Sequence, residues 1–202
     1  MKTCEYDGVP FATARAHPWT DAVSNSTFRY YDLKKEPARI RTSLEDFLPW
    51  KSYAAIDRFF GLLEAINGAR SRLESNDCAF TGPSPNESPS IPQAMQCTGR
   101  VMVLFRDLAR NLSAGDVFTL KNSLHEGLSR LDPELDWAMI GTTLVPVDYV
   151  TLPIHRDRQQ GQELMISFWA WGSSEVEVME NLDRLMKNLT TAFARIHDEL
   201  NA

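Results

Sequence analysis

The stretch best suited to acid–base chemistry is "PIHRDRQ", residues 153 to 159. An imidazole titrates near neutrality, so His155 could act as a general acid or base. On an extended strand, residues two apart share a face, which would let Asp157 orient the ring. No nucleophile stands beside them, and a polar hairpin turn explains the same residues. A second stretch, "CTGR" at Cys97, sets a thiol near an arginine, which would acidify it. The C-x5-R spacing of thiol phosphatase chemistry is missing, because Arg100 follows only three residues later. A packed thiol is the simpler reading.

Cys78 and Cys97 bracket a proline-rich stretch, "DCAFTGPSPNESPSIPQAMQC". A disulfide there would close a loop worth about 3 kcal/mol in chain entropy. Cys4 makes the count odd, and the first residues lack a continuous apolar leader. Free thiols in a reducing, cytoplasmic setting are the expectation. Structural metal sites want closely spaced ligand pairs. His17, His125, His155 and His197 are scattered instead, so no metal is expected. Phosphate-cradling glycine motifs, G-x-S-x-G and H-E-x-x-H are absent, so no cofactor is expected either. N-x-[ST] triplets begin at Asn25, Asn86, Asn111 and Asn188; none is read as glycosylated.

Other residues suit recognition better than catalysis. Trp169 and Trp171 fall on one face of a strand, with Phe168 on the other. Trp is a favoured interface anchor, although core packing accounts for the pair as well. Glu175, Glu177 and Glu180 open the last helix, where carboxylates suit the dipole and offer an acidic surface. Arg100 and Arg106 could contact an anion.

The chain has 202 residues and a formal net charge of −6. Half of that excess lies in the last thirty residues, with six acidic and three basic groups. Nucleic-acid backbones call for concentrated Lys and Arg, so they are disfavoured as partners. No apolar run approaches the length of a membrane span, so no membrane partner is expected.

These residues need elements to position them. Residues 1–26 read as irregular, and "TFRYYDL" at 27–33 as a short strand. Ile56, Phe59, Phe60, Leu63 and Ile66 recur at helical spacing, after a start near Ser43, and the helix continues toward Leu73. Residues 77–97 read as a proline-rich loop, with 79–92 extended on the surface and free of regular structure. "PQAMQCTGRVMVLFRDLARNL" reads as a second helix, striped by Val101, Leu104, Phe105, Leu108 and Leu112. A third begins near Ser113, capped toward Asp116, and stops at Pro133. Period-two patterns predict strands near 137–145, 147–155 and 162–171, with Pro146 at a break or an edge. The last helix opens on a Ser174–Glu177 capping box and buries Met179, Leu182, Leu185, Met186, Leu189, Phe193, Ile196 and Leu200.

The expected fold is a single α+β domain over 1–202. Several amphipathic helices pack on a small antiparallel sheet of about three or four strands, with a long C-terminal helix. The expected function is that of a non-enzymatic intracellular protein-binding protein: an adaptor, inhibitor or immunity-type protein acting through an acidic surface, which permits a basic partner. A pocketed small-ligand protein or enzyme is the alternative, using His155, Asp157 and the two arginines. A third reading is a homo-oligomer that pairs its last helices through Met179, Met186 and the leucines.

Overall fold

Backbone pairing organises the chain around one mixed sheet. The computed structural model describes residues 2–5, 13–17, 31–151 and 158–201. Within them run β1 (Lys2–Glu5), β2 (Thr13–His17), α1 (Ala54–Asn67), β3 (Leu73–Pro85) and β4 (Met95–Phe105). There follow α2 (Leu108–Leu112), α3 (Ala114–Ser129), β5 (Ala138–Thr151), β6 (Arg158–Gly172) and α4 (Glu175–Asn201). The sheet has six strands in the order β1-β5-β6-β4-β3, with β2 also on β5. The β3–β4, β4–β6 and β5–β6 pairs are antiparallel, whereas β1 and β2 run parallel to β5. The α+β class is as expected, but the sheet is larger than three or four strands and is not purely antiparallel.

The extra strands come from segments read as irregular, loop or helix. β1 and β2 lie inside the stretch read as irregular. The supposed proline-rich loop is the end of β3, a turn over 86–94 and the start of β4. Pro83 and Pro85 fit because β3 is the last strand in the order, where a missing donor on the outer edge breaks no ladder. Asn86 builds the turn: its side-chain amide donates to the carbonyls of Ile91 at 3.0 Å and Gln93 at 2.8 Å, and its oxygen accepts from Ser88 N–H at 3.1 Å.

The supposed second helix is β4 followed by the short α2. Residues Val101 to Phe105 are all buried, because both faces of the sheet are covered there. A strand buried on both faces shows a continuous apolar run rather than alternation, and that run also fits a helix. Smaller corrections follow the same lines. α1 begins at Ala54 after a 3-10 turn over Leu48–Trp50 and ends at Asn67, short of Leu73. Residues 31–33 are not strand, and 27–30 lie outside the described residues. β5 passes through Pro146 without a break, in the interval between the registers of β1 and β2.

One face of the sheet carries α1, α3 and α4 and the main core. Ser113 Oγ accepts from Asp116 N–H and starts α3 as expected. Glu177 N–H donates to Ser174 Oγ, while the Glu177 carboxylate turns back to the N–H and hydroxyl of Ser173. Along α4, Met179, Leu182, Leu185, Met186, Leu189, Phe193 and Ile196 are buried and Leu200 packs at the margin. That stripe is filled within the chain, so a dimer through Met179 and Met186 has no free surface there.

Phe168 of β6 lies at the centre of this core. It contacts Phe59 with centroids 5.8 Å apart and Phe80 at 6.5 Å, and Phe47 stacks on both Phe59 and Phe80. Its cross-strand neighbour is Gly99, where a Cβ would fall 2.3 Å from the ring and 2.8 Å from the Ala79 carbonyl oxygen. Glycine is therefore required by close approach. Gly99→Val should cost about 1–3 kcal/mol by overpacking, and Leu189→Ala about 2–5 kcal/mol by leaving a cavity. Denaturant midpoints measure both, and an unchanged midpoint for Gly99→Val would mean that the ring does not rest on the strand.

Candidate functional site

The register of the sheet sets which side chains meet on its outer face. Alternation sends Cys97, Val101 and Val103 of β4 toward the helices and Thr98, Arg100, Met102 and Leu104 outward. Trp169 pairs with Thr98 and Met139, and Ser167 pairs with Arg100 and Gly141. Beyond β4, Thr98 pairs with Thr81 and Arg100 with Ala79. Two adjacent cross-strand rows thus place Trp169, Thr98 and Thr81 beside Ser167, Arg100 and Ala79.

Between these side chains lies a shallow, open depression of about 210 Å³, with Phe80 and Gly99 completing its floor. Trp169 is half-buried and Ser167 is buried. The Arg100 side chain is 46% exposed, and its Nη2 stands 3.4 Å from Asp77 Oδ2. The depression therefore offers a large indole surface, hydroxyls and one partly engaged guanidinium. Farther along the same face, α2 covers a smaller apolar cluster of Met102, Leu104, Val145, Val147 and Tyr149.

Of the residues singled out from the sequence, Arg100 and Trp169 meet here. Trp171 shares the face but is buried, opposite Gln96, with its backbone N–H donating to the Trp137 carbonyl at 2.9 Å. Arg106 lies elsewhere and is built into the fold. It donates to the carbonyls of Leu73 at 3.0 Å, Asn67 at 2.9 Å and Gly68 at 2.8 Å, closing the end of α1 against β3. Glu175 accepts from the Tyr53 hydroxyl. The Glu177 carboxyl is held below its usual range by the Ser173 hydroxyl and then by the Ser173 N–H. Glu180 is exposed. His155 and Asp157 lie outside the described residues.

Thr81, Thr98, Ser167 and Ala79 were missed from the sequence. Their convergence depends on the β3–β4 register, which could not be read while β4 passed for a helix.

The thiols take different places. Cys78 pairs with Val101 and Cys97 with Ala170. Four residues of strand thus separate Cys97 from the position facing Cys78, about 13 Å at the usual rise. A disulfide needs Cα atoms within about 7 Å, so this pairing is excluded in the folded chain. Burial pushes both thiols up to about 12, with the Asp77 and Asp46 charges adding at Cys78. Among the described residues, no three His, Cys, Asp or Glu side chains are grouped to hold a metal ion, and no helix is long and apolar enough to cross a membrane. Asn111 is fully buried, with its side-chain amide bonded to both N–H and C=O of Phe105 at 2.8 and 2.7 Å, so a glycan there is incompatible with the fold.

No family model, curated protein or solved structure matches the chain.

Two outcomes follow. Alkylation of Cys97 at pH 8 should be far slower than in the unfolded chain, since a thiol titrating near 12 is about one part in ten thousand thiolate there. An alkylation rate equal to that of the unfolded chain would contradict the burial. Arg106→Ala should cost about 2–3 kcal/mol by removing a charged donor from three carbonyls, although that of Gly68 keeps the Ser71 N–H, with little rescue by Arg106→Lys. A denaturant midpoint unchanged by either substitution would deny Arg106 its capping role.

Proposed function

We propose that the protein is a non-enzymatic binding protein whose partner is another protein, in the manner of an adaptor, inhibitor or immunity-type protein. The observation that carries this reading is that half-buried Trp169 and exposed Arg100 line one open depression on the outer sheet face. Trp and Arg are the residues most enriched at binding hot spots, and hydroxyl-bearing neighbours suit a polar rim. The depression is smaller and shallower than the roughly 300–1,000 Å³ of a small-molecule pocket. It accommodates one or two side chains of a protein surface more readily than an enclosed ligand.

The net charge of −6 supports a basic partner and salt-sensitive association. Local acidity at the start of α4 supports it less, since Glu175, Glu177 and Asp183 already engage Tyr53, Ser173 and Arg58. Contact through the outer face therefore replaces contact through the α4 carboxylates as the centre of the proposal, and long-range attraction is left to the overall charge.

Parallel affinity capture of the wild-type chain, Trp169→Ala and Arg100→Glu, with quantitative mass spectrometry, tests the reading. One protein captured by the wild type should fall at least about tenfold with each variant, which is about 1.4 kcal/mol. Both variants should keep a folded-state circular dichroism spectrum. Equal capture by all three would overturn the site, and a small anionic metabolite retained by the wild type alone would favour a ligand-binding protein instead. Association of the partner should also slow as salt rises; a salt-independent on-rate would remove the role of charge.

A further inference from the structure

β1 is held to the molecule in an unusual way. Lys2 and Glu5 are exposed, and Thr3 and Cys4 are only half-buried. No side chain of the strand belongs to the buried core. Among the described residues, its attachments are the parallel ladder to Met139–Thr142 of β5 and one ion pair, from Glu5 to Lys121 of α3 at 2.6 Å. Lys121 is buried, with 8% exposure, and its ammonium also lies 4.9 Å from the centroid of the Phe118 ring. His125, one turn along α3, adds a weaker attraction to the same carboxylate.

Lys121 is covered while β1 is in place, and there its ammonium is held by the Glu5 carboxylate, whose own side chain is 49% exposed. β1 supplies that anion while contributing little apolar burial of its own. Register puts Thr3 and Glu5 opposite Ile140 and Thr142 on the helix side, and Lys2 and Cys4 opposite Met139 and Gly141 on the other. The strand therefore fills an edge with a defined requirement: backbone donors and acceptors for β5, and a carboxylate two residues beyond a small side chain.

We propose that β1 is a displaceable strand occupying a docking edge, and that an extended segment of a partner protein takes its place on β5 with an acidic side chain set on Lys121. Binding of this kind is strand addition, in which main-chain pairing supplies affinity and one side chain supplies specificity. This surface goes beyond the depression at Trp169 and Arg100. Neither of those residues is altered in the test below, so the two proposals can fail separately.

The test uses the full chain. Hydrogen exchange read by NMR should show the amides of Thr3–Glu5 and Met139–Thr142 opening faster than those of β4. Glu5→Gln should speed that opening a few-fold, the size expected for an exposed ion pair. A synthetic peptide of residues 1–7, with Cys4 as serine, should shift the Met139–Thr142 resonances of the Glu5→Gln chain at lower concentration than those of the wild type. Replacing the peptide's glutamate with glutamine, or Lys121 of the chain with Met, should remove that preference. Unchanged exchange in Glu5→Gln overturns the proposal. So does a peptide that fails to shift these resonances, or that binds equally well with glutamine.

Discussion

The contact of the Phe168 ring with the bare backbone at Gly99 is the constraint on which the rest of the structure depends. A side chain at 99 would meet the ring on one side and the Ala79 carbonyl on the other. With glycine there, Phe168 can lie between Phe59 of α1 and Phe80 of β3. Phe47 then stacks on Phe80 and Phe59, which pins the turns before α1 against the sheet. Trp50 covers Gly82 nearby, where a Cβ would fall within 2.3 Å of three indole atoms. Aromatic packing on two strand glycines thus holds β3, β4, β6 and α1 in a single register. Because strand side chains alternate, the same register places Arg100 and Thr98 beside Ser167 and Trp169 on the opposite face. The site is a geometric consequence of the core.

Charge is spent largely on holding elements together. Arg58 bridges α1 to Asp183 of α4 at 2.9 Å, Arg184 bridges α4 to Asp132 at 2.7 Å, and Arg41 reaches both Asp57 and Glu64 at 2.6 Å. Exposed pairs of this kind contribute little stability individually, and salt weakens them further. Their effect on recognition is larger, since they neutralise carboxylates that a count along the sequence treats as free acid. Arg100 differs: its contact with Asp77 is long, and nearly half of its side chain remains exposed.

Legibility in the sequence followed burial pattern. α4 was readable almost residue by residue, because it buries one stripe and shows solvent the other, giving a clean 3.6-residue period. α1 and the start of α3 were readable for the same reason, with Ser113 as the cap. β5 and β6 were recognisable from β-branched and aromatic content, although Pro146 suggested a break where the strand only passes an interval between neighbours. β4 was not readable, because burial on both faces removed alternation between Val101 and Phe105. β3 was hidden by Pro83 and Pro85, whose lack of donors is harmless on the last strand. Of the site, Arg100 and Trp169 were visible as residue types, but their proximity depended on pairing that local pattern does not contain. Arg106 looked identical to Arg100 in sequence and differs only in finding three carbonyls at the end of α1.

The central claim is that the outer sheet face, and not the acidic start of α4, meets the partner. Hydroxyl-radical footprinting of the protein alone and with its captured partner tests this most directly. Oxidation of Trp169 should fall severalfold in the complex, while that of exposed Val176 on α4 stays unchanged. Protection at Val176 with Trp169 still fully reactive would contradict the account.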